Sequence, residues 1–148
     1  MTHPLPPTSR SLPIALLRAR ERVMGPIRQM LSDVGITEQQ WRVLRVLEEE
    51  GPMEPTRISD QACLLLPSLT RILQRLEENA LILREPDPSD RRKQIVRITA
   101  RGARLIAANR GQSLELFERI RTRMGPERYD QLLDLLNELD QPDTDGDG

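Results

Sequence analysis

The sequence predicts a mainly α-helical chain with one small β-wing, and three observations predict it. Apolar residues recur at helical spacing over most of the 148 residues. Two short apolar runs, near 81–85 and 94–98, flank a turn rich in proline and aspartate. Aromatic residues make up only 2% of the chain and charged residues 30%, which suits helices closed over an aliphatic core.

The elements follow in chain order. Residues 1–10 are proline-rich and read as a flexible tail. From Leu12 a ladder of Ile14, Leu17, Met24, Ile27, Leu31 and Val34 marks a helix, with Leu17, Met24 and Leu31 one heptad apart. Gly25-Pro26 lies inside it and predicts a kink, and Gly35 closes it. Ile36-Thr37-Glu38-Gln39-Gln40-Trp41 is a helix start: Thr37 and Gln40 can cap each other's backbone, and Ile36 can staple onto Trp41. That helix runs to about Glu50 and Gly51 ends it.

A short helix is expected near Pro55–Ala62, and the next begins with Pro67 at its first position, where a missing amide costs nothing. There Leu69, Ile72, Leu73 and Leu76 face inward, while Ser68, Thr70, Arg71, Gln74 and Arg75 face outward. After the two strands, Thr99 caps a long helix carrying Leu105, Ile106, Leu114, Phe117 and Ile120. Gly125-Pro126 breaks it, and a last helix carries Leu132, Leu133, Leu135, Leu136 and Leu139. The tail 141–148 is acidic and reads as disordered.

Several function classes drop out on composition. No apolar run approaches the roughly 18 residues of a membrane span, and Met1-Thr-His-Pro-Leu-Pro-Pro7 lacks an apolar signal core. A cytoplasmic protein without a membrane partner is the expectation. One cysteine, Cys63, excludes an internal disulfide and a cysteine-based zinc cluster. Between Ala62 and Leu64-Leu65-Leu66 it reads as a buried, inert thiol. The one histidine, His3, lies in the tail and offers no nucleophile–base pair. Asp143-x-Asp145-x-Asp147-Gly148 imitates the start of a calcium loop but lacks the later glutamate. No cofactor or metal is expected.

Charge is uneven. Net charge is −1, yet residues 66–101 hold eight Lys or Arg against five acids, and residues 124–148 hold one Arg against eight acids. A basic face opposite an acidic end suits a polyanion partner, although solvated helix faces give the same pattern. The helix from Pro67 has the size for a DNA major groove, and the basic turn after it can reach the neighbouring minor groove. Ser68, Thr70, Arg71 and Arg75 are its outward residues. Arginine reads guanine bidentately, and hydroxyls mostly hold phosphate. Asp90 and Arg92, two apart on an extended segment, can point the same way and pair. An ordinary loop salt bridge fits the same two residues.

The segments Thr37-x-x-Gln40-Trp41-Arg42-Val43-Leu44, Pro67-Ser68-Leu69-Thr70-Arg71, Arg75-Leu76-Glu77, Leu81-Ile82 and Asp90-x-Arg92 ahead of Ile98-Thr99 together resemble the MarR family of winged helix-turn-helix regulators. The resemblance spans about residues 12–140. Leu16–Glu21, Ile36–Arg45 and Ala62–Thr70 look closer to a branch that represses homoprotocatechuate catabolic operons. It implies a winged helix-turn-helix DNA-binding domain at 36–99 and a helical dimerisation region at 11–35 and 100–140. It also implies a homodimer whose first and last helices interlock, a palindromic double-stranded operator, and release by a small aromatic carboxylate such as 4-hydroxyphenylacetate.

By resemblance Arg92 is the minor-groove probe, with Arg91 and Lys93 nearby for phosphate. Arg18, Arg20, Trp41 and Arg45 form the candidate effector set, since a guanidinium beside an apolar ring suits an aromatic carboxylate. Pure core packing for Trp41 and an inter-helix salt bridge for Arg20 fit equally. The family's usual glycine ahead of the Leu-Ile pair is Ala80 here. Either Ala80 adopts the left-handed conformation at roughly 1 kcal/mol, or Asn79 does. A redox-sensing regulator acting through Cys63 and a small enzyme of aromatic catabolism are the rivals. The sequence has no phosphate-binding glycine loop, metal cluster or triad for the latter.

Overall fold

The computed structural model describes residues 3–142. The acidic stretch Asp143–Gly148, including the calcium-loop imitation, lies outside the described residues. Six helices and one two-stranded antiparallel sheet form this part of the chain: α1 (Leu12–Asp33), α2 (Glu38–Glu50), α3 (Pro55–Gln61), α4 (Leu66–Glu78), β1 (Ile82–Pro86), β2 (Gln94–Ile98), α5 (Ala100–Met124) and α6 (Pro126–Leu139). The 3-10 turn Thr8–Arg10 precedes α1. The chain divides into two compact units, Met1–Arg110 and Gly111–Gly148, the division falling within α5.

The local signals act largely as expected. Thr37 Oγ1 accepts from the Gln40 amide at 3.1 Å, and Gln40 Oε1 accepts from the Thr37 amide at 3.0 Å, a complete capping box on α2. Thr99 Oγ1 accepts the Gly102 amide at 3.1 Å and donates to the Ala80 carbonyl at 2.7 Å, so one hydroxyl caps α5 and ties it to the end of α4. Gly35, Gly51 and Gly125 sit at φ +73°, +86° and +93° and end their helices.

Gly25-Pro26 lies within one continuous 22-residue helix, α1; the proline removes a single amide there without ending the helix. Three details differ. Pro67 is the second residue of α4, after Leu66, still in the turn where its missing amide is harmless. The first strand runs one residue later than expected because Leu81 is used to close α4. Met53, ahead of α3, joins the wing as a third rung: its amide donates to the Val96 carbonyl at 3.1 Å and its carbonyl accepts from the Val96 amide at 2.8 Å. Strands β1 and β2 pair Ile82 with Ile98 through to Pro86 with Gln94.

The end of α4 settles the Ala80 question. Ala80 has φ +59°, its amide donates to the Glu77 carbonyl, and the Leu81 amide donates to the Leu76 carbonyl, both at 2.9 Å. That is a Schellman closure with alanine where glycine is preferred. The same closure ends α1, where Gly35 takes the left-handed position and Ile36 donates to Leu31.

The core of the first unit is aliphatic. Ile27, Met30 and Leu31 of α1 are buried, as are Val43, Leu44 and Leu47 of α2, Ile58 of α3, Leu69, Leu73 and Leu76 of α4, Ile82 and Val96 of the wing and Ile106 of α5. Each such side chain stabilises by about 1.5–3 kcal/mol. Their combined effect fixes α4 with its Ser, Thr and Arg face to solvent. In the second unit α6 buries no residue, and Leu132, Leu133, Leu135, Leu136 and Leu139 stay exposed.

Candidate nucleic-acid interface

The α4 helix presents the outward set as the heptad pattern predicts. Thr70, Arg71 and Arg75 are exposed and Ser68 is half-buried. Ser68, Arg71 and Arg75 line one groove of about 420 Å³ with Thr37, Gln39 and Gln40 from the start of α2, over a floor of Leu64 and Ile72. The Thr70 hydroxyl donates to the Leu66 carbonyl at 3.0 Å, so part of its hydrogen-bonding capacity is spent inside the helix. Arg71 and Arg75 make no ion pair among the described residues.

The wing turn is built by its carboxylates. Asp87 Oδ1 accepts from both the amide and the hydroxyl of Ser89, at 2.9 and 2.8 Å. Those bonds, the amide first, hold the Asp87 carboxyl below its ordinary value. Asp90 Oδ1 accepts the Arg92 amide at 3.1 Å, while the Arg92 guanidinium stands 3.6 Å away. Asp90 therefore shapes the backbone and holds the side chain only loosely. Arg92 is 95% exposed at the tip, Arg91 is exposed beside it, and Lys93 leans 3.7 Å from Glu54. At the base of the wing Arg84 donates to Glu77 Oε1 at 3.0 Å, joining β1 to the last turn of α4. That bond holds the Glu77 carboxyl low.

The candidate effector set is more dispersed. Arg20 donates to Glu38 Oε2 at 2.7 Å. Glu38 also faces Arg28, which holds Glu21 through two bonds of 2.8 Å. The Arg28 guanidinium and charge hold the Glu21 carboxyl low. Arg45 pairs with Glu48 at 2.6 Å. Trp41 is half-buried. Arg18 lines a separate open groove with Leu17, Glu21, Arg22 and Pro26. The grooves described do not gather the four residues: Arg18 lines that one, while Arg20 and Arg45 hold Glu38 and Glu48. The sequence reading missed Glu38 and Arg28; an acid at the first position of α2 reads first as a favourable helix-end charge, which masks its role as an inter-helix partner.

Cys63 overturns its expectation. It is exposed, at φ +54° in the turn between α3 and α4. The apolar run after it is no core strand: Leu65 is 77% and Leu66 47% exposed, and only Ala62 is buried. The turn must reverse direction before α4, and reversal puts the cysteine on the outside. Among the described residues no cluster of His, Cys, Asp or Glu can hold a metal ion, and no helix is long and apolar enough to cross a membrane.

Comparison with known proteins follows the same geometry. The MarR family pattern matches residues 36–93, from the capping box of α2 to the wing tip. The chain is 38% identical over 129 residues to the HTH-type transcriptional regulator FarR of Neisseria gonorrhoeae, covering 87% of this chain and 88% of that one. It is 39% identical over 129 residues to the homoprotocatechuate degradative operon repressor of Escherichia coli, covering 87% of each. Among solved structures, NadR in complex with 4-hydroxyphenylacetate superposes with a TM-score of 0.79 at 39% identity, over 87% of this chain and 94% of that one. With a winged helix, an exposed basic wing and this identity over most of each sequence, the chain belongs to the MarR family of winged-helix transcription regulators.

Proposed function

We propose that this protein is a dimeric repressor of an aromatic-acid catabolic operon, released from a palindromic operator by a small aromatic carboxylate. The observation that carries the DNA-binding part is the pair of exposed basic sets, Arg71 and Arg75 on α4 and Arg91, Arg92 and Lys93 on the wing. Residues 36–99 read the duplex: α4 enters the major groove, where Arg71 selects bases and Ser68, Thr70 and Arg75 position the helix. Arg92 enters the minor groove from a backbone that Asp90 shapes, with Arg91 and Lys93 on phosphates. The helices at 11–35 and 100–140 supply the partner surface of the homodimer, supported by the row of exposed leucines on α6 and by exposed Leu16 and Leu17 on α1.

The effector class rests on the likeness to NadR, solved with 4-hydroxyphenylacetate, and to the homoprotocatechuate operon repressor. Arg20 is the carboxylate anchor, Trp41 the apolar wall, and Arg18 and Arg45 flanking cations. Arg20 must then exchange Glu38 for the ligand, and the second subunit completes the pocket. Release needs only modest coupling, since tenfold weaker operator binding corresponds to about 1.4 kcal/mol.

The test is selection of operator duplexes from a random pool, followed by titration of 4-hydroxyphenylacetate and 3,4-dihydroxyphenylacetate into the complex. Dissociation by either acid is expected, and a weaker response in Arg20→Ala. If neither acid dissociates the wild-type complex at millimolar levels, the effector class is wrong. One observation favours a second reading: the exposed Cys63 beside α4 suits a redox-sensing regulator. Loss of operator binding on peroxide treatment, absent in Cys63→Ser, would favour it.

A further inference from the structure

A cleft of about 400 Å³ opens where three elements meet: the turn after α1 (Val34, Gly35, Ile36), the closure of α4 (Asn79, Leu81), and the first turns of α5 (Arg101, Arg104, Leu105). It shares no residue with the set Arg18, Arg20, Trp41 and Arg45. Its floor is apolar and already fixed: Ile36 and Leu81 are buried, and Leu105 is half-buried. Val34 stays 42% exposed on its wall.

Arg101 and Arg104 stand one turn apart on the same face of α5 and both line the cleft. Neither makes an ion pair or hydrogen bond among the described residues. No carboxylate lines the cleft. The helix ends beside it do not occupy the two guanidiniums either. In the last turn of α1 the Leu31 and Ser32 carbonyls accept from Ile36 and Gly35, and in that of α4 the Leu76 and Glu77 carbonyls accept from Leu81 and Ala80.

Two unpaired guanidiniums above a preformed apolar floor form the usual pattern of a small-ligand site, an apolar surface with a few convergent polar groups. We infer that this cleft is a second effector site for a small organic anion, a carboxylate with an apolar body of about one ring. The carboxylate takes Arg101 and Arg104, and the ring lies on Ile36, Leu81 and Leu105. The site has leverage on DNA binding because its walls include the closure of the recognition helix. A ligand there ties the end of α4 to α5 and to the α1–α2 turn, the joints that orient the α4 helix.

The test is titration of the full-length protein with benzoate, followed by amide resonances in two-dimensional NMR. Benzyl alcohol and inorganic phosphate serve as controls. Saturable shifts at Gly35, Leu81 and Leu105 are expected with benzoate, and neither control should reproduce them. In R101Q/R104Q the same shifts should need about tenfold more benzoate, the loss of one good charged contact. R20A should leave them unchanged, which separates this site from the effector pocket proposed above. R104Q alone gives a milder variant should the double one fold poorly, and it should move in the same direction. The inference fails if the cleft amides stay still, if R101Q/R104Q and R104Q titrate like wild type, or if phosphate matches benzoate. It fails also if the two arginines prove to be DNA contacts, with R101Q/R104Q flattening the salt dependence of operator binding while benzoate still binds as before.

Discussion

Arg92 and Lys93 lie next to each other on the wing, yet their surroundings give them different tasks. Arg92 is almost wholly exposed and only loosely paired, so it can leave Asp90 for a groove at little cost. Replacing it with alanine is expected to weaken operator binding by about tenfold or more, an effect of ~1–3 kcal/mol. Fluorescence anisotropy with the selected operator checks this, and unchanged affinity would take the wing out of the mechanism. Lys93→Ala should weaken binding alike on all sequences and lower the slope of log affinity against log salt by about one unit. At the other end of the wing, Arg84 holds the Glu77 carboxyl below its ordinary value of 4.5. A depressed carboxyl contributes stability above its unfolded value, and that contribution disappears as pH falls through the lower folded value. The tie between α4 and β1 is therefore complete at neutral pH and lost only in acid, below about 4.5. Arg84→Met is expected to move the Glu77 midpoint upward toward 4.5, read from its side-chain carboxyl signal in an NMR titration. A midpoint that does not move would show that Arg84 is not the cause.

At the scale of elements, the junction of α4, β1 and α5 places opposite demands on two small residues. Ala80 holds a left-handed conformation that costs an L-residue roughly 1–2 kcal/mol. Ala80→Gly removes that strain but loosens the unfolded chain, so a net gain of about 0.5–1 kcal/mol is expected by urea denaturation. Two residues into α5 the demand is the reverse. A Cβ on Gly102 would stand 2.5 Å from the Leu81 carbonyl oxygen and 2.8 Å from Ile98 Cγ1. The first neighbour is backbone and cannot swing aside. Gly102→Ala should therefore destabilise by about 1–3 kcal/mol. It should also disturb the wing, whose first strand starts at the next residue, Ile82, so operator affinity falls together with the melting temperature. A variant as stable as the parent would mean that α5 packs less closely on Leu81 than the geometry says.

At the scale of the whole molecule, the chain leaves apolar surface uncovered that a lone copy has no reason to keep. Leu135 is 61% and Leu139 53% exposed on α6, and Leu114 and Phe117 on α5 are exposed as well. The proposed dimer would bury these rows between two copies. Leu136→Glu is expected to shift sedimentation from a dimeric toward a monomeric mass and to abolish tight operator binding, since one half-site then binds alone. A wild-type protein that sediments as a folded monomer at micromolar concentration would remove the dimer from the proposal.

The sequence by itself determined the elements, to within a residue or two, and which side of each is apolar. Capping boxes, closing glycines and heptad spacing act through contacts within four or five residues, so Thr37, Thr99 and the inward leucines of α4 were legible without a fold. The basic wing was legible for the same reason, because two prolines and paired aspartates force a turn wherever the chain goes. What only the tertiary structure decided are the pairings between residues far apart: Met53 with Val96, Glu38 with Arg20 and Arg28, Gly102 against Leu81, and the cleft shared by Ile36, Leu81 and Arg104. Cys63 belongs with them. Its apolar neighbours point to burial, but the reversal between α3 and α4 carries it outside. Local rules set which face of an element is apolar; which distant group meets that face follows from how the elements pack, and packing is a property of the assembled chain.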